Sequence, residues 1–258
     1  MQYETLRLRH QEKTAVITLN RPKLRNALNV QMRAEILHAV KAAQKEANVI
    51  VLTGQGDAFC SGQDLGDGRS LNSSDMERTL RDEYVPLLKA IYDCPIPTIA
   101  AVNGAAAGAG ANLALAADVV IASESAVFVQ AFTRIGLIPD AGGTYWLPRQ
   151  IGFARAMGAA LFAEAIPAKK AADWGMIWEA VPDAEFEATW RARAAQLANG
   201  PGVAYRNLKT AMRESYTNSL DEQLLLEARL QGDCGGTRDF KEGVLAFTEK
   251  RAAAFEGR

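Results

Sequence analysis

Hydrophobic and polar positions alternate or run apolar over residues 3–8 and Thr14–Leu19, which predicts a pair of strands near the start of the chain. Asn20-Arg21-Pro22 breaks that pattern. Asn29 then stands where an N-cap would open a helix over residues 30–47, with Ile36, Leu37 and Val40 on one face. Short apolar runs follow at residues 49–53, 97–102 and 119–122, each succeeded by a loop and a helical pattern. Uninterrupted apolar runs of this length suit strands buried on both faces, so the pattern predicts β-α units around a largely parallel sheet. Residues 66–74 turn polar and rich in Gly, Ser and Asn, as a surface loop would. Beyond Pro182 the pattern is helical to the end. Pro201 opens one helix, Ser219-Leu220-Asp221-Glu222 is a capping box for another, and Thr237 can cap the last, which carries Val244 and Phe247 on one side. The chain therefore reads as an α/β core over residues 1–200 followed by a helical region over residues 201–258.

The apolar stretch over residues 99–122 contains Gly104 and Gly108 at a spacing also found in membrane helices. Asn103, Asn112 and Asp118 interrupt it, and such groups are costly in hydrocarbon, so a buried strand, a glycine loop and a core helix are expected instead. The chain has 258 residues, of which 48% are hydrophobic and 23% charged, with a net charge of −1. That balance suits a globular core, and the bulk charge gives no reason to expect nucleic acid or a membrane surface as partner. No signal peptide is evident near Met1, and the scattered Cys60, Cys94 and Cys234 fit a reducing compartment, so a cytoplasmic location is expected.

Several chemistries lack their residues. His10 and His38 stand apart from any Ser, Cys or acidic motif, and no GxSxG elbow is present, which argues against a Ser-His or Cys-His hydrolase. No His/Cys group has metal-ligand spacing, and neither GxxxxGK[ST] nor GxGxxG occurs. Carboxylates, backbone amides and glycines remain. Phe59-Cys60-Ser61-Gly62-Gln63-Asp64-Leu65 follows the strand at 49–53. Asn103-Gly104-Ala105-Ala106-Ala107-Gly108-Ala109-Gly110-Ala111-Asn112-Leu113 follows the strand at 97–102 and enters a helix. Small residues let a ligand approach the backbone, and a helix start offers unpaired N–H groups. Two such loops at neighbouring strand ends could aim two N–H donors at one oxygen, forming an oxyanion hole; tight turns with close helix packing are the alternative. In Ile135-Gly136-Leu137-Ile138-Pro139-Asp140-Ala141-Gly142-Gly143-Thr144, Asp140 reads either as a helix N-cap or as a general acid/base. In the second case an apolar pocket of Phe132, Leu137 and Ile138 would raise its pKa toward neutrality.

In their order and spacing these segments resemble the crotonase (enoyl-CoA hydratase/isomerase) superfamily. Thr18-Leu19-Asn20-Arg21-Pro22, Asn26-Ala27-Leu28, Ala100-Ala101-Val102-Asn103-Gly104, Ala172-Asp173-Trp174-Gly175-Met176 and Ala246-Phe247-Thr248-Glu249-Lys250-Arg251 extend the likeness over nearly the whole chain. The resemblance implies an α/β spiral of ββα units, a C-terminal helical region used in trimer or dimer-of-trimers assembly, and an acyl-CoA thioester substrate. It implies no cofactor beyond the coenzyme A of that substrate. It puts the oxyanion-hole amides at Gln63 and Ala109, Arg25 beside the CoA phosphates, and Phe247 and Lys250 toward the CoA nucleotide, often of a neighbouring subunit. Ala27, Ser61, Asp64, Leu65, Gly108, Phe132 and Pro139 complete the expected substrate- and CoA-contacting set.

Hydratases of the family carry two glutamates that activate water, and the matching positions here are Asn112 and Phe132. Asp140 occupies a position that is commonly glycine in hydratases. Gly136-Leu137-Ile138-Pro139-Asp140 and the Ala107-Gly108-Ala109-Gly110-Ala111 loop are similar to those of the ring-1,2-epoxyphenylacetyl-CoA isomerases of phenylacetate breakdown, as are Arg155-Ala156-Met157-Gly158 and Trp174-Gly175-Met176-Ile177-Trp178. The resemblance thus implies an isomerase in which Asp140 moves the proton. Asn112 would hydrogen-bond substrate or orient Asp140. Phe128 and Phe132 would line an acyl pocket or simply pack in the core, and residues 66–81 would shape that pocket. Alternatives are an enoyl-CoA hydratase, an aroyl-CoA dehalogenase with Asp140 as nucleophile, and a non-catalytic acyl-CoA- or RNA-binding member of the fold.

Overall fold

A computed structural model describes residues 2–66 and 73–258. The polar loop expected at residues 66–74 lies mostly outside the described residues. The chain begins with β1 (Leu6–Gln11) and β2 (Thr14–Leu19), which pair antiparallel. The first strand thus starts three residues later than its apolar pattern suggested. Its register is set by the tight reversal at Glu12-Lys13, where Glu12 adopts a left-handed conformation. Next come α1 (Val30–Ala43), β3 (Val49–Gly54) and β4 (Ala58–Cys60). Asn29 caps α1 by accepting from the Met32 N–H, as expected, but the helix ends four residues short of 47.

A long helical segment follows: α2 (Ser73–Thr79), a π turn at Leu80–Tyr84 and α3 (Val85–Tyr92). Then β5 (Thr98–Val102), β6 (Ala105–Ala107), α4 (Ala109–Leu115), β7 (Val119–Ser123) and β8 (Val127–Val129) form the centre of the molecule. After a 3-10 turn at Ala131–Ile135 come α5 (Gly143–Ile151), α6 (Phe153–Phe162), β9 (Ile166–Pro167), α7 (Ala168–Asp173), β10 (Glu179–Val181) and α8 (Phe186–Ala198). The C-terminal helices are α9 (Gly202–Glu214), α10 (Leu220–Gly235) and α11 (Arg238–Glu249). The predicted caps hold: Ser219 and Glu222 form a reciprocal capping box, and Thr237 accepts from the Phe240 N–H.

The larger sheet runs β1-β2-β3-β5-β7-β10, parallel from β2 onward. Its central strands β2, β3, β5 and β7 are buried on both faces, whereas the edge strand β1 is largely exposed. Val49 and Val51 face a layer closed by Phe186 and Trp190 of α8. Ile50 and Leu52 face the main core with Met32, Ile36, Leu87 and Ile91. The smaller sheet, β4-β6-β8-β9, was not anticipated: its strands lie inside segments that read as loops, and each is too short for a periodic signal. Residues 99–122 run through β5, β6, α4 and into β7, the buried strand, glycine loop and core helix expected there, and no helix among the described residues is long and apolar enough to cross a membrane.

Asp118 ties the C-terminal helices to this core. It accepts from the Thr98 N–H and hydroxyl at the start of β5 and from Lys209 and Arg213 of α9. The Lys209 side chain is 9% exposed, and burial pulls its pKa down. Removing the carboxylate would strand a buried cation. Asp118→Ala is therefore expected to lower the urea unfolding free energy by about 2–4 kcal/mol, whereas truncating the exposed, solvent-screened Arg81–Glu77 pair should leave the unfolding midpoint nearly unchanged.

Candidate active site

Two loops meet beyond the C-terminal ends of β4 and β6, which are parallel neighbours in the smaller sheet. The first is locked by backbone bonds to the loop before α1. Ser61 N–H donates to Arg25 O at 3.0 Å, Leu28 N–H to Gly62 O at 2.8 Å, and Asp64 N–H to Leu28 O at 3.2 Å. This is a parallel bridge between Leu28 and Gln63. In such a bridge the flanking residues make the bonds, so the N–H of Gln63 points away from Leu28. It has no acceptor among the described residues, and neither has the N–H of Ala109, the first residue of α4. The helix start explains the second vacancy, because first-turn amides lack an intrahelical partner.

Glycine is required for the two loops to touch. A Cβ on Gly62, which has φ +94°, would sit 2.8 Å from Ala107 O and 3.4 Å from Ala109 N. A Cβ on Gly110 would sit 2.3 Å from Cys60 O. Both distances are far inside van der Waals contact with backbone, so larger residues would push the loops apart. Two unpartnered N–H groups are thereby held side by side at the mouth of one cleft.

That cleft has a volume of about 320 Å³ and is lined by both loops, by Met76, Thr79, Leu80 and Tyr84 from the α2–α3 segment, and by Phe132, Leu137 and Asp140. The expectation that residues 66–81 shape the pocket holds for Asp75, Met76, Thr79 and Leu80. Asp140 does not cap α5; Gly142 occupies that position without a side-chain bond. Its Oδ1 is buried with no hydrogen-bond partner among the described residues. Burial pushes its pKa up from 3.8 to about 6. A carboxyl so placed is ready to exchange a proton near neutral pH.

Asp140 is held through its main chain. Asn112 Nδ2 donates to Asp140 O at 2.7 Å, and Gln130 Nε2 donates to Asn112 Oδ1 at 2.9 Å. Asn112 is 0% exposed and does not line the cleft, so of its two expected roles the geometry favours orienting Asp140 over touching substrate. A Cβ on Gly143 would meet Asn112 Nδ2 at 2.4 Å, which shows how tightly this support is packed. Gln130, fully buried beside β8, was not anticipated, and nothing in its local sequence distinguishes it from a surface polar residue.

The other expected residues divide. Ser61, Gln63, Asp64, Leu65, Gly108, Ala109 and Phe132 line the cleft. Asp64 is held by Arg21 at 2.8 Å, and Arg21 also donates to Ala27 O. Arg25 is exposed next to Ser61, with a left-handed backbone. Phe128 is a core residue, fully buried in β8, and does not line the pocket. Ile138 is 75% exposed and lies outside the apolar wall beside Asp140, between Leu137, which lines the cleft, and the buried Pro139. Phe247 (86% exposed) and Lys250 sit at the end of α11, Phe247 on a separate apolar groove between the C-terminal helices. Cys60 is fully buried, and burial raises its pKa to about 12, so it is an inert thiol under the first loop. His38 bonds Tyr3, and His10 lies near Glu46 on the surface. Among the described residues no group of His, Cys, Asp and Glu could hold a metal ion.

The family model for enoyl-CoA hydratase/isomerase matches residues 9–258, and the chain belongs to this family, within the crotonase superfamily. A Rhodobacter capsulatus protein described as a probable enoyl-CoA hydratase is 63% identical over the full length of both chains. The 1,2-epoxyphenylacetyl-CoA isomerase of Escherichia coli is 43% identical, with 97% of this chain and 98% of that one covered. The solved structure of an enoyl-CoA hydratase from Bacillus anthracis superposes with a TM-score of 0.93 at 30% identity, covering 99% of this chain and 100% of that one. The fold is thus the crotonase fold, and the chain is an enzyme of the hydratase/isomerase family.

The raised pKa of Asp140 carries a stability consequence with a defined sign. Unfolded, its carboxyl titrates near 3.8; folded, near 6. Between those values the folded protein binds more protons, so stability falls as pH rises from about 4 to about 6. Asp140→Asn removes that burden. It is expected to raise the thermal midpoint at pH 8, by a free energy of about 1–2 kcal/mol after allowance for partial exposure to the cleft, with the gain vanishing near pH 4. Thermal melts of both proteins at the two pH values check this.

Proposed function

We propose that this enzyme is an acyl-CoA isomerase in which one carboxylate, Asp140, moves a proton while the Gln63 and Ala109 N–H groups polarise the thioester carbonyl. The observation that carries the reading is the buried, unpartnered Oδ1 of Asp140 in the same cleft as two free amides. Donors fixed around a thioester oxygen stabilise the enolate formed when a neighbouring proton leaves. With a pKa of about 6, Asp140 is largely ionised at pH 7.5 and acts first as a base. It then returns the proton to another carbon, or to an oxygen released from a strained ring. The likeness to the Escherichia coli isomerase favours 1,2-epoxyphenylacetyl-CoA or an enoyl-CoA as substrate. Arg25, exposed beside Ser61, is suited to the CoA phosphates, and Pro139 sets the backbone of Asp140 without entering the cleft.

A hydratase is the second reading, favoured by the description of the Rhodobacter relative. A two-carboxylate hydration is disfavoured because Asn112 is buried and committed to Asp140, while Phe132 presents an apolar ring. Product analysis by mass spectrometry across epoxyphenylacetyl-, enoyl- and crotonyl-CoA decides between them. The isomerase reading expects rearranged product of unchanged mass, reduced at least about 10²-fold in Asp140→Asn. Efficient gain of water from crotonyl-CoA, retained in Asp140→Asn, would overturn it.

The exposed apolar residues Leu208, Met212, Leu224, Phe240, Val244 and Phe247 of the C-terminal helices support assembly into a homotrimer or a dimer of trimers through residues 201–258. Sedimentation should therefore give a mass of about three or six 27.9 kDa chains, and a monomer at micromolar concentration would contradict it.

A further inference from the structure

The N–H of Gln63 is useful only if it is held at one angle, and the residue that carries it is gripped from behind. Arg33 of α1 is 1% exposed, an unusual place for a guanidinium. Its Nη1 donates to Leu28 O at 2.7 Å and to Gln63 Oε1 at 2.8 Å. One nitrogen thus bonds both sides of the bridge that sets the direction of the Gln63 amide. Its Nε and Nη2 donate to Glu83 Oε2 at 2.9 and 2.6 Å. The Tyr84 hydroxyl donates to the same Gln63 Oε1 at 2.6 Å. Glu83 and Tyr84 belong to the π turn of the helix whose Thr79 and Leu80 wall the cleft. A π turn shifts the side chains that follow it around the helix axis, and here it presents consecutive residues, one to Arg33 and one to Gln63.

We propose that Arg33 and Tyr84 are positioning residues that fix the side-chain amide of Gln63 and, through it, the backbone N–H that polarises the thioester. This inference rests on the oxyanion-hole reading above. Neither group is placed to reach the reacting carbon through a free donor: the Tyr84 hydroxyl proton is committed to Gln63, and Arg33 is buried behind the loop. Burial raises the phenol's pKa, so the hydroxyl keeps the proton it donates across the working pH range. The wall of the acyl cleft and the thioester-binding amide are therefore parts of one hydrogen-bonded unit. A substrate that displaces the π turn would disturb the amide as well, which ties turnover to acyl-group fit.

The test uses variants that keep the fold's charges. Tyr84→Phe removes only the hydroxyl, and Gln63→Met removes the shared acceptor, together with the long Nε2 contact to Asp64 O at 3.4 Å, while leaving the backbone amide. Two readouts are taken: the steady-state constants on an isomerised acyl-CoA, and the infrared carbonyl band of bound phenylacetyl-CoA labelled with ¹³C at the thioester. The wild-type band should move to lower frequency on binding. In both variants that movement should shrink, with kcat down about 10–100-fold and KM within a few-fold, because geometry and not occupancy is lost. A purely structural role would lower the melting temperature and leave the carbonyl band of the folded fraction as in wild type; that result, in either variant, overturns the proposal. If the wild-type band itself does not move on binding, the oxyanion-hole reading fails, and the positioning roles fail with it.

Discussion

Everything at this site depends on the closeness of two backbone loops. Gly62 and Gly110 let the chain beyond β4 touch the chain beyond β6 at distances no side chain permits. The consequence is electrostatic. The backbone bonds made by Gly62 and Asp64 use up the partners on one side of the first loop, and the start of α4 uses up none on the second, so the Gln63 and Ala109 N–H groups both remain free. An unpaired amide near the protein interior costs free energy, and two of them facing one cleft mark a place built for an incoming oxygen. The parallel sheet provides the rigidity, since β4 and β6 deliver their C-terminal ends side by side.

In the cleft those donors share, Asp64 is paired with Arg21 and Asp75 lies near Arg78, while Asp140 keeps a buried oxygen without a partner among the described residues. Elsewhere the fold satisfies its buried acids thoroughly: Glu35 takes Glu4 and Thr5 amides, and Asp239 takes those of Glu256 and Gly257. Asp140 instead has its carbonyl tethered by Asn112 and Gly143 while its side chain keeps a bare oxygen. Orientation is supplied through the backbone and basicity through desolvation, and the two do not compete. The same arrangement commits the Asn112 amide to the Asp140 carbonyl on one side and to Gln130 on the other.

Much of this was legible in the sequence, and the limits were physical. Strands β2, β3, β5 and β7 were readable because each is an apolar run buried on both faces. Strands β4, β6, β8 and β9 span two or three residues and carry no period, so the smaller sheet was invisible although it places both amides. The glycine loops and Asp140 were readable because backbone approach and a carboxylate in an apolar setting leave compositional marks. Arg33 and Tyr84 were not, because an arginine in an amphipathic helix looks solvated until its partner, 50 residues away, is brought beneath it. Ile138 misled for the converse reason: an apolar neighbour in sequence need not be a neighbour in space, and Ile138 faces solvent while Leu137 next to it lines the cleft.

The proposed chemistry requires Asp140 to exchange a proton next to a polarised thioester. The most direct measurement is deuterium incorporation from solvent into the methylene of phenylacetyl-CoA, followed by NMR, which needs no turnover to product. Exchange is expected with the wild-type enzyme, rising with pH through about 6 as Asp140 ionises, and none above background in Asp140→Asn. Exchange that proceeds equally well in Asp140→Asn would contradict that chemistry.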